Sequence, residues 1–263
     1  MRKVVLGLIT ILIALPIYAI NRDLQIRGID ALKNAGICTT VKVSKGGPYC
    51  IVDCKKIHGK EVCVDIARKE CKWTVENYAE GSFLKPGQID SIVIVNDECA
   101  AHAGGFGETV FITGLKAKIF PYKLGDQINF LAVLKGKDGR DRLLMTSESY
   151  HQGYYFGRIL VCNFTSLQKD LYDICKDIEG LEDVKTFTDE GYTEFKIAIV
   201  PVRSESDNYL FEIRLQKLIN ERPVASKRCS LKYQWDGVKL ISSAENKKCL
   251  EAVKRFLPKA DIN

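Results

Sequence analysis

The chain has 263 residues, of which 46% are hydrophobic and 27% charged, and its formal net charge at pH 7 is +6. This length allows one large domain or two ordinary ones with adequate cores. No Arg-rich run and no alternation of aromatic and basic residues occurs, which argues against nucleic acid as a partner.

The first 19 residues are typical of a secretory signal peptide. Arg2 and Lys3 precede a mostly apolar run over residues 4–17, and Ala19 is a small residue at a plausible cleavage position. An uncleaved anchor is the alternative, because Ile17 replaces a preferred small residue, although a spanning helix needs about 20 apolar residues. We expect a secreted or periplasmic protein that contacts a membrane only if this segment stays uncleaved.

The charge is unevenly distributed along the rest of the chain. Residues 225–263 carry nine basic and four acidic side chains, and therefore a net charge of +5. A basic end of this kind can contact anionic surfaces such as lipid headgroups or polysaccharide, and it can equally be an ordinary solvated surface.

Ten cysteines, an even number, predict disulfide bonds formed in an oxidising compartment. Six lie within residues 38–99, and the other four form two later pairs, which we expect to be Cys162–Cys175 and Cys229–Cys249. Five bonds are possible in all.

Residues 50–67 are typical of a β-hairpin whose two-residue turn is His58-Gly59. This register places Cys54 opposite Cys63, close enough for a disulfide. A zinc site formed by Cys50, Cys54, Cys63 and Cys71 is the alternative, but these spacings are not those of zinc ribbons.

The Pro86-Gly87 step predicts a boundary between two regions. Residues 20–85 would form a small disulfide-rich module, and residues 86–263 a β-repeat domain that ends in a hairpin and a helix. The predicted fold is therefore mainly β.

Three segments after residue 83 repeat one pattern: an apolar strand, a polar or Gly-rich loop and a second apolar strand. If Ile92, Leu143 and Ile197 are equivalent, the repeat spacings are about 51 and 54 residues. Repeats of this length predict propeller-like blades or stacked hairpins.

The repeated region resembles the FG-GAP or VCBS-type repeats of exported bacterial β-propeller proteins. The likeness covers residues 83–243 and lies in "DGRDRLLMTSESYHQGYYFGRILV", in "DEGYTEFKIAIV" and in "KYQWDGVKLISS", which is similar to a Tyr-x-Trp-Asp-Gly-x-x-Leu hairpin. The resemblance implies a propeller-like β meander. Two departures are that only three units are present and that the calcium-loop spacing D-x-D-x-D-G is absent.

Two helices are predicted in the second half of the chain. After the Asp236-Gly237 hairpin turn, Ser242 and Glu245 form a capping box for a helix that runs to Leu257. A shorter helix is marked by four apolar residues at helical spacing, Leu167, Leu171, Ile174 and Ile178.

A metal site is the sharpest chemical hypothesis. Glu98 and His102 in one repeat correspond to Glu148 and His151 in the next, and two carboxylates with two imidazoles can bind a first-row divalent ion. The alternative is that both histidines are ordinary loop residues without a ligand, and that the protein has no cofactor.

An aromatic cluster offers a second candidate site. Tyr150, Tyr154 and Tyr155, with Phe106 in the preceding Gly-rich loop, could form a contact platform for a sugar or a protein. Packing of alternate rings in the core is the competing interpretation.

The predicted function is therefore that of an exported, disulfide-stabilised β-repeat protein that binds a protein or a glycan in the cell envelope or outside the cell. An enzyme is not favoured. The alternatives are a metal-dependent hydrolase that uses the Glu and His loops, and an envelope-anchored structural component.

Overall fold

The computed structural model describes residues 22–57, 69–99, 107–120, 127–151, 154–186 and 193–257. Its architecture is mainly β, as the sequence predicts, and its strands form three antiparallel sheets. The helices are α1 (Arg22–Asn34), α2 (Leu171–Ile174) and α3 (Ala244–Phe256).

Sheet A contains six strands that are hydrogen-bonded in chain order. They are β1 (Cys38–Ser44), β2 (Gly47–Asp53), β3 (Glu70–Gly81), β4 (Asp90–Asp97), β5 (Gly107–Thr113) and β6 (Lys116–Phe120). Because β3 pairs with β4, the sheet continues across the boundary predicted at Pro86-Gly87.

Sheets B and C contain four strands each, and both are also meanders in chain order. Sheet B is β7 (Gln127–Lys135), β8 (Asp141–His151), β9 (Tyr154–Cys162) and β10 (Cys175–Lys185). Sheet C is β11 (Thr193–Glu205), β12 (Asn208–Ile219), β13 (Arg222–Trp235) and β14 (Leu240–Ser242).

Three apolar cores separate the layers. The first, which includes Leu32 and Trp73, lies between α1 and one face of sheet A. The second joins the other face of sheet A to sheet B and includes Phe111 and Leu143. The third joins sheet B to sheet C and α3, and it includes Leu144. Because Leu143 and Leu144 are adjacent in β8 and enter different cores, sheet B is buried on both faces.

The turn between β7 and β8 connects all three sheets at one end of the stack. Asp141 exchanges two hydrogen bonds of 2.8 Å with Ser82, the residue after β3, through its backbone N–H and its carboxylate. On the other side, Lys137 N–H donates to the Gly237 carbonyl at 2.9 Å, in the turn before β14. One short hairpin therefore bonds to both neighbouring sheets.

The three repeated segments correspond to the hairpins β4–β5, β8–β9 and β11–β12, one in each sheet. Ile92, Leu143 and Ile197 are all buried in these hairpins. The stacking of sheets fits the prediction of stacked hairpins, whereas the propeller arrangement is not confirmed.

The region predicted as an N-terminal module differs from its prediction in two respects. Helix α1 was not predicted, and residues 54–57 are helical, so the first arm of the predicted hairpin ends as a strand at Asp53. Cys54 is disulfide-bonded, but its predicted partner Cys63 lies outside the described residues. Two other bonds in this region join neighbouring strands or loops of sheet A, Cys38–Cys50 and Cys71–Cys99.

The two later disulfides have the predicted pairings, Cys162–Cys175 and Cys229–Cys249. The predicted short helix is wrong in extent, because α2 ends at Ile174 and Cys175 begins β10, directly opposite Cys162 on β9. The set of disulfides is that of a non-cytoplasmic protein, since cytosolic reductants keep such thiols reduced.

The C-terminal hairpin and helix form as predicted, with one correction at the helix cap. The cap is Ser243, whose hydroxyl accepts a hydrogen bond from Glu245 N–H, and not Ser242. Glu245 pairs instead with Lys232 at 2.7 Å. The Cys229–Cys249 bond joins α3 to β13.

Candidate functional site

Glu98, the first predicted metal ligand, lies just after β4 and is engaged by a cation. Its carboxylate is 2.6 Å from Lys72 Nζ, and its side chain is half exposed. Lys72 Nζ also lies 4.9 Å from the centre of the Tyr49 ring. This carboxylate therefore belongs to a surface ion pair on sheet A.

Glu148, the second predicted metal ligand, is buried between sheets B and C. It accepts a hydrogen bond of 2.8 Å from the Tyr155 hydroxyl and another from Ile199 N–H. Gly157 lies opposite Glu148 on β9, and a Cβ atom at Gly157 would lie 2.7 Å from the Tyr155 ring. The glycine therefore leaves the space in which Tyr155 reaches Glu148. This carboxylate connects β11 to sheet B.

The two carboxylates have different partners in different layers. His102 lies outside the described residues, and the side chain of His151 is not among the described ones, so the metal hypothesis stays a prediction. In the described ranges, one group of potential ligands lies within 4.8 Å of one another, and it consists of Cys54, Cys71 and Cys99. All three are disulfide-bonded and so have no thiolate to offer a metal.

The predicted aromatic platform is divided between core and surface. Tyr155 is fully buried, which is a correction, because a ring in the core cannot contact a partner. Tyr154 is 40% exposed. Tyr150 is opposite Tyr155 in the β8–β9 register, and Phe106 lies outside the described residues.

A different surface, on sheet C, has the features of a binding site. The core residues of β11, β12 and β13 lie mostly at odd positions, as Ile197, Ile213 and Leu231 do. Side chains alternate along a strand, so the even positions form the opposite face. In the described part of the chain, the residues at even positions are exposed or only partly buried over 194–202, 208–216 and 222–234, and this face of sheet C is open there; Leu218, beside the β12 register shift, is buried.

The open face of sheet C is basic. We define the basic face by its four cationic side chains, which are Lys196 on β11, Arg214 on β12, and Arg228 and Lys232 on β13. Arg214 is directly opposite Arg228 in the register, and Lys196 is opposite Gln216, two residues from Arg214.

The cations of the basic face differ in how they are neutralised. Arg214 pairs with Glu212, and Lys232 pairs with Glu245 at 2.7 Å. Lys232 lowers the pKa of Glu245, first by this hydrogen bond and then by its charge. Within the described residues, neither Arg228 nor Lys196 has an ion-pair partner. Directly opposed like charges destabilise a sheet, so the arrangement of Arg214 and Arg228 is unfavourable, and Glu212 offsets part of it through its ion pair with Arg214.

Sequence reasoning did not identify the basic face. Its signal is the alternation of apolar and cationic residues in "EFKIAIV", "FEIRLQKL" and "SKRCSLKYQW", but the strand register is needed to bring Arg214 and Arg228 together.

No helix among the described residues is long and apolar enough to cross a membrane. Searches against protein-family models, curated proteins and solved structures find no match to this chain.

Proposed function

We propose that this chain is a secreted or periplasmic binding protein that engages an acidic surface of a partner protein through the basic face. The observation that carries the proposal is the cross-strand pair of Arg214 and Arg228 on the open side of sheet C. Like charges directly opposite each other on neighbouring strands are destabilising. An anionic group of a partner would interact favourably with both arginines.

Position and chemistry also support this proposal. Sheet C is an outer layer of the stack. The arginines on its outward face lie on β-strands, whose backbone is held more rigidly than that of a loop. Arginine forms two parallel hydrogen bonds to a carboxylate, and rigid elements hold such donors in place. The disulfide between β13 and α3 fixes the strand that carries Arg228.

The test uses the variant Arg228→Glu, which has an unusual expected signature. It replaces the like-charge pair with an opposite-charge pair, so the thermal midpoint should rise slightly while binding of labelled poly-L-glutamate falls at least tenfold. The matched control is Lys116→Glu on exposed β6, which makes the same charge change far from sheet C and should alter binding less than threefold.

Two results would overturn the proposal. Equal losses in both variants would show that binding follows net charge and not the basic face. Binding of a sulfated polysaccharide but not of poly-L-glutamate, with the same dependence on Arg228, would assign the face to a glycan.

A further inference from the structure

One edge of sheet C is only partly covered. Strand β14 pairs with β13 at three positions, from Tyr233 to Trp235, so the rest of that side of β13 has no strand beside it in the described structure. Residues 222–228 and Ser230 are exposed. This stretch of β13 is therefore an accessible strand edge.

Asn246 shows what chemistry this edge accepts. Its side-chain amide accepts a hydrogen bond from Lys232 N–H at 2.8 Å and donates one to the Lys232 carbonyl at 3.0 Å. An amide group thus pairs with Lys232 as the peptide group of a neighbouring strand would. These bonds also establish that Lys232 directs its backbone groups away from β12.

The direction of the remaining edge groups follows from that observation. Backbone groups alternate between the two sides of an antiparallel strand, and the β12–β13 register is regular from Ala225 to Gln234. The N–H and C=O groups of three further residues therefore point to the same open side as those of Lys232, and these residues are Ser226, Arg228 and Ser230. Together they present three consecutive pairing positions.

The positive charge of this edge favours an acidic partner strand. Lys227 and Arg228 lie within the edge, and Arg222 lies beyond it near the turn. If a second copy of this chain paired antiparallel with this edge, with Arg228 at the centre of symmetry, cations of one copy would lie opposite cations of the other. Such like-charge pairs are destabilising. Acidic side chains on an added strand would instead meet Arg228 on one face and Lys227 on the other.

We infer that the edge of β13 from Ser226 to Ser230 binds an extended, acidic segment of a partner protein as an additional strand of sheet C. This inference rests on the proposed function and makes it more specific, because the main chain of the partner would pair with the edge while its carboxylates meet the basic face. Strand addition of this type gains affinity from main-chain hydrogen bonds.

The experiment measures binding of a fluorescein-labelled ten-residue peptide of alternating Glu and Thr to the full chain. The decisive comparison is with the same peptide N-methylated at alternate residues on its pairing side, which keeps every charge but cannot donate hydrogen bonds there. We expect the methylated peptide to bind at least tenfold more weakly, and the unmodified peptide to slow hydrogen exchange of the Arg228 amide.

A variant of the protein tests the same main-chain hydrogen bonds by changing β13 and not the peptide. Ser226→Pro removes one outward N–H without touching the pairing to β12, because proline is tolerated where the N–H faces solvent. Peptide binding should fall at least fivefold, whereas the control Ser226→Ala should stay within twofold of the original protein. If Ser226→Pro fails to fold, the methylated peptide still decides the question.

The possible failures are distinguishable. Equal binding of both peptides, with sensitivity to Arg228→Glu, would overturn strand addition and leave the basic face intact. No binding of either peptide, while poly-L-glutamate still binds in an Arg228-dependent way, would overturn strand addition alone. No binding of the peptides or of poly-L-glutamate would overturn both proposals. A dimer in light scattering that Ser226→Pro dissociates would assign the edge to a second copy of this chain.

Discussion

The two ends of the layered structure hold their helices in different ways. Helix α1 lies on sheet A through apolar packing, with Leu32 and Ile29 buried and with Gly28 close to Val75. Helix α3 lies on sheet C through the Cys229–Cys249 bond and the amide of Asn246. Each helix also forms a surface ion pair with its sheet, Arg27–Glu80 from α1 and Lys232–Glu245 from α3.

The difference follows from what covers each sheet. The central strands β4 and β5 of sheet A are buried on both faces, so two cores hold them in place, and α1 packs on the sheet by complementary shape. Sheet C has one core, shared with sheet B and α3, and its other face is open. A sheet with one buried face has less apolar burial per strand, and the Cys229–Cys249 bond adds a covalent link between this sheet and α3 that α1 does not have to sheet A in the described residues.

The largest effect is expected from removing the covalent bond. The double variant Cys229→Ser and Cys249→Ser opens a loop with a sequence separation of 20 residues and should lower the free energy of unfolding by about 3 kcal/mol. Urea denaturation measures the loss. Hydrogen exchange should become faster in α3 first, and faster exchange in α1 before α3 would contradict the comparison.

A smaller effect is expected where α1 approaches sheet A. In Gly28→Ala the new Cβ would lie 2.7 Å from a methyl group of the buried residue Val75. Overpacking costs about 1–3 kcal/mol, against about 1 kcal/mol gained in helix propensity, so the urea midpoint should fall. The control Gly46→Ala meets nothing closer than 3.8 Å and should be neutral. An increase in stability for Gly28→Ala would show that α1 is not held by close contact.

The smallest effect is expected at the ion pair beside α3. Lys232 lowers the pKa of Glu245, so the pair stabilises the fold above the unfolded-state pKa of about 4.3 and its contribution is lost as the pH falls through the lower folded-state value. An NMR titration should show the Glu245 carboxyl ionised to lower pH in the original protein than in Lys232→Met. Identical titrations would refute the assignment.

The sequence predicted elements whose pattern is local. The C-terminal helix and the Cys229–Cys249 bond follow from a hairpin turn, helical spacing and one nearby cysteine pair. Helix α1 was missed because Gln25 and Gly28 occupy two of its four buried positions, which hides the apolar stripe. A buried glutamine and a glycine do not register as hydrophobic periodicity.

Features that depend on the sheet register were not predictable. Tyr155 was expected in a contact platform, but the space above Gly157 lets its ring enter the core and bond to Glu148. Arg214 and Arg228 are far apart in the chain and become neighbours only through the β12–β13 pairing. One sequence contains no information on that register without the turn geometry that sets it.

The chain order of the three sheets has a consequence for biogenesis. Each sheet is a meander made from contiguous residues, so sheet A can form as soon as residue 120 has been synthesised or translocated. Until sheet B follows, the face of sheet A that includes Phe83 and Phe111 has no cover. A chain interrupted at this stage would expose an apolar surface to which chaperones or other nascent chains can bind. An interruption after residue 185 would instead expose the face of sheet B that packs against sheet C in the complete fold.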